Sequence, residues 1–148
     1  MVRHLLKGDF LDFGGNKEGL KKYVKSNYTV VNCDHSEMNV KYFDTIVALA
    51  VIEHMSVPEI YNLFKNFKHL LNANGHILIT TPTINAKPVL ELIALVGLAE
   101  KNNIAEHKHY RDKKELFELA QEAGFFAIKY IKFQMGFNQF VIMEHAHE

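Results

Sequence analysis

The chain has 148 residues, with 17 Lys and Arg against 17 Asp and Glu, so its formal net charge is zero. This length predicts a single domain over residues 1–148, and 48% apolar with 23% charged residues excludes a disordered or fibrous chain. Zero net charge gives no field that attracts polyanions, so we expect neither nucleic acid nor an anionic membrane as a partner.

Three apolar runs in the first third of the chain predict buried strands: residues 9–13, 28–33 and 43–49. The first run ends in Gly14 and Gly15, which is typical of a strand that closes on a tight turn. Between the first two runs, residues 17–25 predict a helix with Leu20, Tyr23 and Val24 on one face. Cys33 is the only cysteine and cannot form an internal disulfide, which is typical of a cytoplasmic protein.

The clearest predicted helix begins at Ser56, because Ser56 and Glu59 have the spacing of a capping box. Its apolar residues recur at helical spacing: Ile60, Leu63, Phe64, Phe67, Leu70 and Leu71. Gly75 is expected to end this helix, since glycine commonly follows the last helical residue. Residues 76–81 are apolar and β-branched, and they predict a fourth strand that stops at Pro82.

The second half of the chain predicts two helices and a hairpin. Residues 88–99 are apolar nearly all round and predict a helix that serves as a lid or a dimer contact. Asp112 and Glu115 repeat the capping pattern ahead of another helix, which is expected to stop at Gly124. Residues 126–133 and 139–144 flank a short turn and predict an antiparallel hairpin.

Alternating strands and helices predict an α/β fold, with a mostly parallel sheet of about six strands, helices on both faces and a C-terminal antiparallel hairpin. In such sheets the ligand lies beyond the carboxyl ends of the strands. These segments are expected along that rim: residues 14–19, Asp34, residues 48–54 and residues 82–110.

The first turn of this rim predicts a nucleoside-containing cofactor. Glycines between a strand and a helix let a ligand approach backbone amides closely. Asp34 follows Gly14 by 20 residues, at the end of the second strand, where a carboxylate can accept hydrogen bonds from both ribose hydroxyls. The strict G-x-G-x-x-G pattern is absent, so a purely structural glycine turn is the alternative.

Five segments in this order carry a resemblance to a known family: LDFGG, VVNCD, FDTIVALAVIEHM, LLNANGHILITTPT and EHKHYRDKKELFELAQEAGF. Together they resemble a class I S-adenosylmethionine-dependent methyltransferase, and they are most similar to the type 11 and type 12 small-molecule families. The resemblance covers residues 9–144. It implies a Rossmann-like sheet, S-adenosylmethionine as the cofactor, a small-molecule acceptor and direct displacement of the methyl group from the sulfonium.

The resemblance also implies roles for individual residues. Those expected to hold the cofactor are Asp12, Gly14, Gly15 and Asn16 at its methionine end, Asp34 at the ribose, and Ala48, Leu49, Ala50 and Val51 beside the aminocarboxylate and sulfonium. Four side chains on the acceptor side are expected to act as general bases or to position the acceptor: His54, His107, His109 and Tyr110. The alternative for these histidines is that they only order their loops.

Two departures from the family pattern shape the expected fold. Asn16 and Glu18 stand where the family has its second and third loop glycines. Only residues 35–42 stand where the family has a helix, a strand and an acidic adenine contact, and a parallel crossover needs about a dozen residues. We therefore expect six of the family's seven strands and no N-terminal helical cap, leaving an open pocket that a second subunit of a homodimer would cover.

Other functions follow from the same residues. A degenerate methyltransferase fold that binds a nucleoside ligand or a protein partner without catalysis is the main alternative, supported by the missing crossover. A nicotinamide-binding domain shares the glycine turn and Asp34 but is disfavoured by the hairpin and by the FD…VIEHM segment. Nine histidines invite a metal site, yet no pair has helical ligand spacing, so no metal is expected.

Overall fold

The computed structural model describes residues 8–15, 19–24, 27–31, 42–86, 88 and 110–146. The strands are β1 (Phe10–Phe13), β2 (Tyr28–Val31), β3 (Phe43–Leu49), β4 (Leu71–Pro82), β5 (Phe125–Phe133) and β6 (Asn138–His145). The α-helices are α1 (Val57–Leu70) and α2 (Lys113–Glu122). Three short 3-10 turns lie at Lys21–Tyr23, Ile52–His54 and Gln134–Gly136. Of the predicted helix over residues 88–99, only residue 88 is among the described residues. Cys33 also lies outside the described residues.

The described strands form one six-stranded sheet in the order β2-β1-β3-β4-β6-β5. Strands β1 to β4 pair with one another in parallel, whereas β6 runs antiparallel to both β4 and β5. The predicted α/β sheet with a terminal antiparallel hairpin is therefore confirmed. Strand β2 lies at one edge, so the described sheet contains no strand on the side where the crossover unit of the family would pair.

Both described α-helices pack against the same face of the sheet. Phe64 and Phe67 of α1 are fully buried, and Phe67 meets Phe13 of β1 edge to face with ring centroids 5.3 Å apart. Leu116 and Leu119 of α2 belong to the same core cluster. The opposite face has a smaller described cluster, in which Leu20 and Val24 cover these residues of the strands: Phe10, Val47, Leu78 and Ile142.

Helix α1 begins as predicted but ends earlier. The Ser56 backbone amide donates to Glu59 Oε2 at 2.7 Å, which completes the capping box. The prediction that Gly75 ends the helix is wrong, because Leu71 is already extended and pairs with Phe43 of β3. Gly75 lies instead in an irregular stretch of β4, where a Cβ would stand 2.7 Å from the Leu71 side chain. Close packing, rather than a helix terminus, explains this glycine.

The prediction of a helix over residues 17–25 is also wrong in its described part. Only Lys21–Tyr23 are helical there, as one 3-10 turn, and Val24 is already extended. Tyr23 is 62% exposed and lies under the Lys22 ammonium, so it does not belong to a buried face. Of the described residues in this segment, Leu20 and Val24 pack against the smaller cluster of the sheet.

Helix α2 provides a stability test of its predicted cap. Asp112 Oδ1 accepts a hydrogen bond of 2.8 Å from the Glu115 amide. We expect Asp112→Ala to lower the free energy of unfolding by about 1 kcal/mol, because this amide loses its partner. Asp112→Asn is the matched control, since asparagine caps helices equally well and should retain most of the stability. Urea unfolding measures both, and an unchanged midpoint for Asp112→Ala would contradict the assigned cap.

Candidate functional site

The glycine turn after β1 stands at the carboxyl edge of the sheet. Gly14 has a φ of +76°, a left-handed conformation that favours glycine, and its amide donates to the Val31 carbonyl at 2.8 Å. Gly15 lies directly over Asp12, so that a Cβ on Gly15 would overlap the Asp12 carboxyl group. The sequence therefore needs glycine at both positions, and the turn leaves main chain where a ligand can approach it.

Asp12 lies beneath this turn and is only 3% exposed. The Tyr28 hydroxyl of the neighbouring strand donates a short hydrogen bond to Asp12 Oδ2. Burial raises the pKa of the Asp12 carboxyl, while the hydrogen bond from Tyr28 lowers it. Asp12 is thus placed to support the turn from below. The sequence did not indicate this role of Tyr28, because a tyrosine in a strand is usually explained by its β-propensity alone.

The Asp12–Tyr28 pair predicts a pH effect. Burial, the hydrogen bond to Asp12 and the Asp12 charge raise the pKa of Tyr28 from 10.0 to about 12. Because the folded value is the higher one, the stabilisation is complete below pH 10 and is lost as the pH rises through about 12. Burial also raises the pKa of Tyr130, so Tyr28→Phe should lower the amplitude of the high-pH tyrosinate transition in an ultraviolet titration by one tyrosine.

Tyr42→Phe is the matched control for this titration, since Tyr42 is 57% exposed and its loss should leave the high-pH transition in place. An unchanged amplitude of the high-pH transition in Tyr28→Phe would contradict the assignment to Tyr28.

The second turn of the rim follows β3, which pairs with β1 in parallel so that Asp12 lies opposite Val47. Ala48 and Val51 are buried, whereas Leu49 and Ala50 are exposed, so the predicted set divides between core and rim. Ala50 has a φ of +56°, and its amide donates to both the carbonyl and the hydroxyl of Thr80, at 3.1 and 3.2 Å. A non-glycine residue held in this conformation is strained, and such residues cluster at functional sites.

His54 ends the 3-10 turn that continues from this segment, and its side chain is exposed. The preceding Glu53 is 1% exposed, so the two neighbouring side chains face opposite ways. Arg111 lies beneath the turn, where Nη2 donates to the Met55 carbonyl at 2.9 Å and Nη1 makes a longer contact of 3.5 Å with the Ile52 carbonyl. The sequence did not single out Arg111, because an arginine beside a helix cap is usually exposed.

Gln139 closes the other side of the rim and is fully buried. Its amide nitrogen donates to the Arg111 carbonyl at 2.7 Å and to the Pro82 carbonyl at 3.3 Å, while its oxygen accepts from the Tyr130 hydroxyl at 3.1 Å. Tyr110, a predicted acceptor-side residue, is partly exposed next to Arg111. These bonds fix the end of β4, the start of β6 and the segment before α2 relative to one another.

The described chain thus brings part of the predicted site together. The carboxyl edge of the neighbouring strands β1 and β3 carries Asp12, Gly14, Gly15 and Ala50. His54 follows in the 3-10 turn after β3, at the same edge. Four predicted residues lie outside the described ranges: Asn16, Asp34, His107 and His109. Among the residues that the structure places, no three His, Cys, Asp or Glu side chains form a metal site, and no helix is long and apolar enough to cross a membrane.

Comparison with known proteins finds one matching family model and several solved structures with a similar fold. A family model described as a methyltransferase domain matches residues 3–130. The structure of the mitomycin 7-O-methyltransferase MmcR is similar, with a TM-score of 0.72 and 13% identity over 94% of this chain and 49% of that one. No curated protein matches the chain.

Two further solved structures share the fold. One is an O-methyltransferase from neocarzinostatin biosynthesis in complex with S-adenosylmethionine and 2-hydroxy-5-methyl naphthoic acid, with a TM-score of 0.69 and 14% identity over 98% of this chain and 50% of that one. The other is described as a pericyclic reaction enzyme, with a TM-score of 0.68 and 13% identity over 94% and 43% of the two chains. The chain spans about half the length of these structures, and identities this low establish the fold alone.

Proposed function

Because this chain belongs to the methyltransferase domain family, as a shortened class I fold, we propose that it transfers a methyl group from S-adenosylmethionine to a hydroxyl group of a small molecule. The observation that carries the proposal is the pair of turns after β1 and β3, with the left-handed Gly14 and the strained, exposed Ala50 at one edge of the sheet. Both place main chain at the point where this fold binds its ligands.

The glycine turn fits the cofactor. A Cβ on Gly15 would collide with the Asp12 carboxyl beneath the turn, so the turn can lie this close to β1 only with glycine there. In the proposal, Gly14, Gly15 and Asn16 hold the methionine end, Asp34 the ribose hydroxyls, and Leu49 and Ala50 border the sulfonium. When bound, S-adenosylmethionine supplies an electrophilic methyl group, so alignment of the acceptor provides most of the rate enhancement.

The acceptor class is proposed from two features. Similar solved structures include an O-methyltransferase with a hydroxylated naphthoic acid, and the neutral chain has no field that favours nucleic acid. In the proposal, His54 takes the proton that the acceptor hydroxyl loses, because it is the exposed imidazole of the rim segment after β3. His107, His109 and Tyr110 are proposed to position the acceptor.

A transfer assay tests this function directly. With S-adenosylmethionine labelled in its methyl group and a panel of phenols and hydroxylated aromatic acids, we expect a labelled methyl ether and S-adenosylhomocysteine. His54→Gln should lower kcat by about a hundredfold. His69→Gln, an exposed histidine in the last turn of α1, is the matched control and should leave kcat unchanged. Equal activity of the two variants would remove His54 from the mechanism.

A second candidate function is ligand binding without methyl transfer. It is favoured by the structural likeness to a pericyclic reaction enzyme, because a shared fold does not by itself require methylation. It is also favoured by the short connection over residues 35–42, which leaves no room for the strand that carries the family's adenine contact. Cofactor binding with no labelled product across the panel would support this alternative.

A second copy of the chain is proposed to cover the cofactor pocket, which the missing crossover leaves open. Light scattering across a range of protein concentrations, with and without S-adenosylhomocysteine, tests this partner. A dimer that strengthens with the ligand supports the proposal, because a copy that covers the pocket must bind more tightly when the pocket is filled. A monomer under both conditions contradicts it.

A further inference from the structure

Arg111 is the largest side chain that the described fold buries completely, with 1% of its surface exposed. A guanidinium stays protonated in proteins, so its charge enters the interior with it. Burial lowers the pKa of Arg111, and the charges of Glu115 and Glu53 oppose this shift. Removing a charge from water is strongly unfavourable unless well-placed hydrogen bonds and an opposite charge compensate for it.

The partners of the guanidinium lie on two elements. Nη2 and Nη1 face the carbonyls of Met55 and Ile52, in the segment after β3, at 2.9 and 3.5 Å. Nε lies 3.4 Å from Oε1 of Glu115, which is in the first turn of α2. Arg111 therefore links the start of α2 to the segment that contains the exposed His54.

The main chain of Arg111 is fixed independently of its side chain. The Gln139 amide donates to the Arg111 carbonyl at 2.7 Å, and the same nitrogen donates to the Pro82 carbonyl at 3.3 Å. Because Gln139 is fully buried on β6, the base of the arginine cannot shift without moving the sheet. The Arg111 side chain thus connects a backbone position fixed by β6 to the turn after β3.

Only Glu53 and His54 stand between Ile52, whose carbonyl lies near the guanidinium, and Met55, whose carbonyl accepts from it. Glu53 is turned inward at 1% exposure, and its charge acts on Arg111. His54, the next residue of the 3-10 turn, is exposed, whereas Glu53 is buried. The contacts of Arg111 with the Ile52 and Met55 carbonyls therefore hold the backbone on both sides of His54.

We propose that Arg111 is a positioning residue of the site, which fixes residues 52–55 through two backbone carbonyls and so holds His54 at the rim. The inference rests on the proposed function only in the role of His54 as the base for the acceptor hydroxyl. A lysine cannot replace Arg111, because an ammonium on a flexible side chain lacks the planar guanidinium that spans two carbonyls.

The test compares Arg111→Lys with an Arg111→Met/Glu53→Gln double variant, which removes both buried charges together. The first readouts need no substrate: the NMR signals of the His54 imidazole, and hydrogen exchange of the His54 and Met55 amides, which bond to Val51 and Ile52. We expect shifted His54 signals and exchange faster by roughly tenfold in both variants. Lys114→Met, which removes an exposed cation of α2, is the matched control and should change neither.

The kinetic readout separates positioning from a general loss of structure. In the double variant we expect kcat to fall by roughly tenfold to a hundredfold, while KM for S-adenosylmethionine stays within about twofold of wild type. Wild-type His54 signals and exchange rates in both variants would overturn the inference. If the wild-type chain transfers no methyl group, the proposed function fails, but the NMR and exchange results still decide the role of Arg111.

Discussion

Gly15→Ala is expected to abolish measurable binding of S-adenosylhomocysteine. A Cβ at this position overlaps the Asp12 carboxyl, which is buried, hydrogen-bonded by Tyr28 and unable to move aside. The turn must therefore lift away from β1, which displaces the main chain that is proposed to hold the cofactor. We expect a loss of affinity of roughly a hundredfold or more in calorimetric titration, together with a loss of about 1–3 kcal/mol in unfolding free energy from overpacking.

Two variants control for this result. Gly136→Ala introduces a methyl group into open space in the hairpin turn, so it should cost only about 1 kcal/mol of backbone strain at a φ of +86° and no cofactor affinity. Asp12→Ala combined with Gly15→Ala removes the obstructing carboxyl, and its stability loss should be smaller than the sum of the single losses. Strict additivity would show that the two residues do not collide.

Phe67→Ala is expected to cause the largest loss of stability. The ring is fully buried on α1 and packs edge to face on Phe13, the residue that immediately precedes the glycine turn. Truncation leaves a cavity between helix and sheet and should lower the free energy of unfolding by about 3–5 kcal/mol in urea. Because Phe13 loses its support, the affinity for S-adenosylhomocysteine should fall as well.

Phe67→Leu and Asn66→Ala are the comparisons for this variant. Leucine retains most of the apolar volume, so we expect a loss of less than about 1.5 kcal/mol. Asn66 is the adjacent, exposed position of the same helix, and its substitution should stay within about 0.5 kcal/mol of wild type. A loss for Phe67→Ala no larger than that for Asn66→Ala would contradict the described packing.

The fold was predictable from the sequence because its signals are local. The capping box at Ser56, the side-chain cap at Asp112 and the apolar spacing of α1 each lie within a few residues, and the structure contains all three. The errors came where one local signal had two explanations. Gly75 has the spacing of a helix terminus, but the pairing of Leu71 with Phe43, which is not visible locally, ends the helix first.

The site was predictable only in part, because its internal contacts are long-range. Glycines after a strand predicted the first turn. In contrast, Tyr28 and Asp12 are 16 residues apart in the sequence, and Arg111 and Ile52 are 59 apart. No periodicity or motif connects residues at such separations. Buried polar groups that bond across the sheet therefore emerge only when the strand order is known.

The central claim is that the turns after β1 and β3 bind S-adenosylmethionine. Isothermal titration calorimetry of the full chain with S-adenosylhomocysteine tests it most directly, because the product analogue binds without turnover. We predict saturable binding of one molecule per chain, lost in Gly15→Ala and retained in Gly136→Ala. Absence of heat at millimolar ligand, or equal binding by both glycine variants, would contradict the claim.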